Sequence, residues 1–186
     1  WSLEDLRDYI DWTPFFRSWE LHGNYPAILT DNVVGESARS LKEDADAMLD
    51  QIIAEKWLTA RGVAGFWPCA RDHQCRDDVI IHRVRREENV RLPFLRQQIK
   101  KSRDRANMCL ADFIDPDGDW IGGFAVGIHG IEAHSARFQA DKDDYSDILL
   151  KALADRFAEA FAERLHQHTR TTLWGYAPGE QLTNEA

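Results

Sequence analysis

The sequence predicts an α+β fold, a mainly antiparallel sheet covered by long helices. Residues 35–56 and 143–169 carry apolar side chains three and four apart, the signature of amphipathic helices. Between them lie short apolar runs broken by charged or Pro/Gly-bearing connections, which read as strands in pairs. Strands gathered between helices, rather than alternating with them, point to α+β and not to a doubly wound sheet.

The elements follow in order. Ser2 with Asp5 three residues later marks a helix start, and that helix runs to about Tyr9. Pro14 suits the first turn of a second helix, 14–21, with Thr13 as its cap. His22-Gly23-Asn24-Tyr25-Pro26 is a turn. From Gly35 to Lys56, Ala38, Leu41, Ala45, Met48, Leu49, Ile52 and Ile53 form one face, opposite Glu36, Arg39, Lys42, Glu43, Asp46 and Asp50.

Gly62–Trp67 and Val79–Arg83 are expected to be two strands joined by a charged loop. Leu92–Lys101 is helix-like and basic. Met108–Ile114 and Trp120–Ile128 form a second expected strand pair, joined by the turn sequence Asp115-Pro116-Asp117-Gly118-Asp119. Gly122-Gly123 and Gly127 within the last strand imply a bulge or a close backbone approach. Asp143–Thr169 is the strongest helical pattern, after which Leu173–Pro178 leaves it.

Composition narrows the function. The 186 residues include 32 Asp+Glu and 23 Lys+Arg, for a formal net charge of −9, and 44% are hydrophobic. That apolar content excludes a disordered chain. No apolar run reaches the roughly 18 residues of a membrane helix. The acidic balance argues against general nucleic-acid binding, which draws on basic side chains. Three cysteines cannot all pair, which suits a reducing, cytoplasmic setting. A first residue of Trp and the lack of a leader suggest a piece of something longer.

Few residues announce chemistry. There is no nucleophile elbow, phosphate-binding loop, dinucleotide fingerprint or zinc-protease motif. Cys69, His73 and Cys75 form one metal-like cluster, but a fourth ligand is missing and an ordinary polar hairpin loop is the better reading. The seven histidines are scattered, with His166 and His168 near a helix C-terminus that favours cations. Asp155, Glu159 and Glu163 form a stripe at i, i+4 and i+8. Glu159 stands among Phe157, Ala158, Ala160 and Phe161, and the pattern favours a solvated carboxylate paired with Arg156 or Arg164. Asp11 lies in the aromatic run Tyr9–Phe16. It is either a helix cap or an anchor for a ligand's ammonium, and the pattern does not choose between them.

Several of these segments carry a resemblance. Tyr9-Ile10-Asp11-Trp12-Thr13-Pro14-Phe15-Phe16 with Trp19 resembles the opening of the C-terminal activation domain of cobalamin-dependent methionine synthases. Leu95-Arg96-Gln97-Gln98, Leu110-Ala111-Asp112-Phe113, Asp143-Asp144-Tyr145 leading into Lys151–His166, and Trp174-Gly175-Tyr176-Ala177-Pro178 agree in the same order and register. Together they span essentially the whole chain.

The resemblance implies a domain that binds S-adenosylmethionine and docks on the cobalamin-binding module. There, with an electron from flavodoxin or a similar reductase, inactive cob(II)alamin would be remethylated. Asp11 matches the aspartate that holds the methionine end of S-adenosylmethionine, and Glu159 a glutamate near the cofactor face. Trp174, Gly175 and Tyr176 lead into the rest of the groove. No catalytic residue and no metal ligand is implied in this segment, and cobalamin belongs to the partner module. In that family an Arg-x-x-Pro-Gly-Tyr-Pro segment follows and supplies further contacts to S-adenosylmethionine. It is not among residues 1–186, so the expectation is a single activation domain lacking its C-terminal part. The 68–78 hairpin also departs, carrying Cys, His and Arg in place of a Gly-containing turn. The alternative is a non-catalytic relative, truncated, stand-alone or a subunit of a split enzyme, that docks on a cobalamin protein without binding S-adenosylmethionine.

Overall fold

The structure is a computed structural model and describes residues 1–82, 88–102 and 104–182. The chain divides into two compact units, a helical one of residues 1–62 with 126–186 and a second of residues 63–125.

In the helical unit, α1 (Leu3–Arg7) begins at Ser2 as expected, and the structure adds a capping box: each of the Ser2 and Asp5 side chains accepts from the other's backbone N–H, both at 3.1 Å. The helix ends two residues before Tyr9. Helix α2 spans Trp12–Ser18, and its cap is Asp11 rather than Thr13. The Asp11 carboxylate accepts from the Thr13 N–H at 2.9 Å, while the Thr13 hydroxyl accepts from the Tyr25 N–H at 3.1 Å. An anionic oxygen at the positive end of a helix is a better acceptor than a hydroxyl.

Helix α3 (Gly35–Glu55) closes with Lys56 in the left-handed conformation, φ 55°. Its buried residues Ala38, Leu41, Ala45, Leu49 and Ile52 are those of the expected face. Helix α4 (Ile131–Ala140) has no counterpart in the expectations, because its 10 residues bury only Ser135 and show no apolar face. Helix α5 (Asp144–His168) is capped by Asp143 and buries Leu149, Leu150, Leu153, Phe157, Ala160, Phe161 and Leu165. Helices α1, α2 and α3 all contact α5, and Phe15, Phe16, Leu6 and Phe157 between them are fully buried. Each such side chain contributes about 1.5–3 kcal/mol when removed from water.

The strands are β1 (Thr59–Arg71), β2 (Asp78–Ile81), β3 (Val90–Pro93) and β4 (Asp119–His129), in sheet order β3-β2-β1-β4. The expected hairpin forms with its first strand longer than expected: β1 runs past Trp67 to Arg71, and the residues that pair with β2 are ones expected in the loop, Cys69 facing Ile81 and Arg71 facing Val79 in an antiparallel register. Arg83, at the end of the expected second strand, lies outside the described residues. Gly123 in β4 meets a close approach, since a Cβ there would stand 3.3 Å from the Trp67 ring.

Two expectations are corrected in the second unit. Leu92–Lys101 is not helical: β3 occupies its start and pairs with β2, Val79 facing Leu92, and the rest is irregular. Pro93 biases Leu92 to extended backbone, and the amides that follow are taken by distant partners, Phe94 N–H by the Asp77 carbonyl and Gln97 N–H by that of Met108. Met108–Ile114 is not a strand either. The Asp112 carboxylate reaches back to the Cys109 N–H at 2.9 Å and turns Leu110–Phe113 into a 3-10 helix, and β1, not this segment, neighbours β4. The turn before β4 forms as expected, with Asp115 Oδ1 accepting from the Asp117 N–H and Gly118 at φ 135°. A small core of Cys69, Val79, Cys109 and Ala111 lies within this unit.

Candidate functional site

The residues singled out from the sequence, Asp11, Glu159 and Trp174–Tyr176, all belong to the helical unit. Asp11 is exposed and caps α2 through Oδ1. Among the described residues Oδ2 accepts no hydrogen bond. The capping role is therefore real, and it leaves half of the carboxylate available. The neighbouring Trp12 packs edge-on against Phe15, centroids 5.3 Å apart, and carries the Lys42 ammonium 4.0 Å above its ring. Two residues before Asp11, the Tyr9 hydroxyl donates to Gln167 Oε1 at 2.7 Å. That bond ties the Asp11 segment to the C-terminal end of α5.

Glu159 lies two turns before Gln167 on α5, a rise of about 12 Å. Its side chain is 60% exposed and is held by Arg156, whose Nη1 stands 2.6 Å from Oε2. Arg156 is itself nearly buried and also grips Asp155 at 2.6 Å. Arg164, the other possible partner, instead lies over the rings of Trp1 and Tyr9. Exposed Asp155, Glu159 and Glu163 keep the stripe of the sequence, with one fixed arginine between the first two.

Beyond α5 the chain winds into a π-helical turn, Thr169–Leu173. The Thr169 and Thr171 hydroxyls donate to carbonyls four residues earlier, both at 2.9 Å. The Trp174 and Gly175 N–H groups both return to the Thr169 carbonyl, and the Ala177 N–H to that of Arg170. Arg170 then holds Glu180 by two hydrogen bonds of 2.6 Å. The result is a closed hook whose crest carries Trp174 and Tyr176, 43% and 62% exposed. Their ring centroids stand 6.0 Å apart at 82°. Residues Arg170 and Glu180 were missed by sequence reasoning. A pair ten residues apart outside a regular helix leaves no periodic signal.

Cys69, His73 and Cys75 do not converge. Cys69 is buried in the small core, which pushes its thiol pKa up, whereas His73 and Cys75 are exposed in the loop. The loop is an acid–base hairpin: Arg91 bridges Asp72 at 2.6 Å and Asp78 at 2.7 Å. Among the described residues no group of three or more His, Cys, Asp or Glu side chains is arranged to hold a metal ion. Among them, too, no helix is long and apolar enough to cross a membrane.

Long helices packed round one core and a four-stranded antiparallel sheet define an α+β module. The family model described as the activation domain of vitamin B12 dependent methionine synthase matches residues 2–186. A crystal structure described as the MetH reactivation domain bound to AdoHcy is 50% identical and superposes with a TM-score of 0.90 over the whole of this chain. This chain spans 58% of that longer one. The chain belongs to the vitamin B12 dependent methionine synthase activation-domain family.

Proposed function

We propose that this chain binds S-adenosylmethionine and supports reductive remethylation of cob(II)alamin to methylcobalamin, as the reactivation part of a cobalamin-dependent methionine synthase. The whole enzyme would move a methyl group from methyltetrahydrofolate to homocysteine, in the cytoplasm. The observation that carries the reading is the match over the whole chain to a domain whose 50%-identical relative is bound to AdoHcy.

The residues present suit such a ligand. Asp11 Oδ2 offers an acceptor for the methionine ammonium, where a charge-assisted bond holds one end of the ligand. The hook presents two exposed aromatic faces nearly at right angles, as a sulfonium or a planar base would meet. Glu159, fixed by Arg156, would face the cobalamin side and add negative potential there. When bound, S-adenosylmethionine supplies the methyl group and the partner module's cobalamin accepts it. The residues named here bind and orient. None of them is a catalytic acid, base or nucleophile, and the gain is one of proximity. A reductase such as flavodoxin would deliver the electron.

On this reading residues 1–186 supply one part of the groove, and the Arg-x-x-Pro-Gly-Tyr-Pro segment of the family would complete it. The second reading is a module that docks on a cobalamin protein without holding S-adenosylmethionine. Titration calorimetry with S-adenosylmethionine separates the two. Binding that Asp11→Asn weakens about tenfold or more supports the first. No binding, with docking onto a cobalamin module retained, supports the second.

A further inference from the structure

Two aromatic residues from the recognised sequence motifs play no part in the function above, yet the fold brings them together. Trp19, just past α2, and Tyr145, in the first turn of α5, are 126 positions apart, and their ring centroids stand 5.4 Å from each other at 61°. They form one wall of a groove of about 500 Å³ in the helical unit. Leu21 and the buried Leu41 line it, and α3 contributes Glu36, Ser37 and Ser40. Glu36 and Ser40 are one turn apart on the same helix face. None of the Glu36, Ser37 and Ser40 side chains has a hydrogen bond or ion pair among the described residues.

The charged side chain that lines this groove is a carboxylate. Tyr145 donates its hydroxyl to Asp44 at 2.6 Å, so a carboxylate sits at the ring's polar end. Glu36 supplies an unpaired carboxylate at the groove itself. The helical unit as a whole has 22 Asp+Glu against 12 Lys+Arg, while the second unit has 10 against 11. Two aromatic rings, an uncompensated carboxylate and two free hydroxyls in a mostly apolar concavity make a site for a cation with an apolar body. Asp11, Glu159 and Trp174–Tyr176 do not line it.

We propose that the Trp19–Tyr145 groove is a second binding site, one for a small quaternary or alkylated ammonium compound, with the two rings taking the apolar cation and Glu36 neutralising it. The site stands apart from the S-adenosylmethionine reading and does not depend on it.

The test uses the full 186-residue chain with choline as the probe and 3,3-dimethylbutan-1-ol as its neutral, shape-matched control. Binding is followed by calorimetry and by the Trp19 indole and Tyr145 ring resonances. Choline is expected to shift both resonances and to bind at least tenfold more tightly than the neutral alcohol. Glu36→Gln, an exposed change, should weaken choline about threefold to tenfold, and Ser40→Trp should abolish binding by filling the groove. Tyr145→Phe keeps the ring and should stay within about twofold of wild type, whereas Tyr145→Leu should lose about tenfold. A wild-type-like amide spectrum for each variant shows that it is folded. Equal affinity for choline and the alcohol, no shift at either ring, or affinity unchanged in folded Glu36→Gln and Ser40→Trp overturns the proposal. So does displacement of choline by S-adenosylhomocysteine, which would make the groove part of the first site rather than a second.

Discussion

Arg170 and Glu180 meet through two parallel hydrogen bonds, Nε to Oε2 and Nη2 to Oε1, each 2.6 Å long. The side chains are 19% and 5% exposed. A planar guanidinium matched to both carboxylate oxygens fixes direction as well as distance. It therefore fixes the nine-residue hook between them, with Trp174 and Tyr176 at its crest.

Glu180→Gln should open that hook while leaving the helical core intact. The amides of Trp174, Gly175 and Ala177 are expected to exchange with solvent faster, with no comparable change in α5. Hydrogen exchange resolved by residue checks this, and unchanged rates at those three amides would count against it. Arg170 holds the Glu180 carboxyl below its ordinary value of 4.5. A depressed carboxyl contributes stability above its unfolded pKa and loses it as the pH falls through the folded one. The hook should thus hold at neutral pH and open only well into acid.

Asp147, 7% exposed, joins α4 to α5: it accepts from the Ser135 hydroxyl at 2.6 Å, Gln139 Nε2 at 2.9 Å and Lys151 Nζ at 2.8 Å. Lys151 first, then Ser135 and Gln139, pull its pKa down to about 2. Its contribution is complete above the ordinary 3.8 and fades between there and about 2. Asp147→Asn places an amide donor among three donors and should lower the melting temperature at pH 7. The gap from wild type should shrink in that acid window, as thermal melts across pH would record.

Arg96 organises the second unit. It bonds Asp77 Oδ1 at 2.6 Å through Nη2, both Asp112 oxygens at 2.8 Å, and the Asn107 carbonyl at 2.8 Å. The Arg96 guanidinium, followed by the Cys109 N–H, holds the Asp112 carboxyl far below the usual carboxylate range. Arg96→Met should loosen residues 94–102 and 104–113 and lower the melting temperature, the difference persisting until the pH falls well below 3.8. Amide exchange at Gln97 and Cys109 would locate the loss, and protection equal to wild type there would contradict it.

Gly130 begins α4 at φ 103°, and a Cβ on it would stand 2.5 Å from the Trp57 carbonyl oxygen. The obstacle is backbone and cannot swing aside. Gly130→Ala should cost at least about 2 kcal/mol, from the left-handed conformation and the clash together. Urea denaturation measures it directly, and a loss under about 0.5 kcal/mol, the usual range of a neutral surface change, would refute it.

The sequence by itself determined the two long helices, the helix start at Ser2, the β1–β2 hairpin and the Asp115–Asp119 turn. Those features rest on periodicity and on bonds between residues a few positions apart, which a linear reading can see. It also placed Asp11, Glu159 and Trp174–Tyr176 as candidates. Only the tertiary structure decided that 92–101 is not a helix, because the Asp77 and Met108 carbonyls take its Phe94 and Gln97 N–H groups from a distance. The 3-10 turn at 110–113 rests instead on a local bond, Asp112 to the Cys109 N–H, that the strand reading overlooked. The tertiary structure likewise decided that Arg170 closes on Glu180, and it chose Asp11 over Thr13 as the cap and Arg156 over Arg164 as Glu159's partner, choices the sequence had offered and left open. The meeting of Trp19 with Tyr145 was out of reach for the same reason. Pairings set by packing across the fold carry no period in the chain, so nothing in the order of residues announces them.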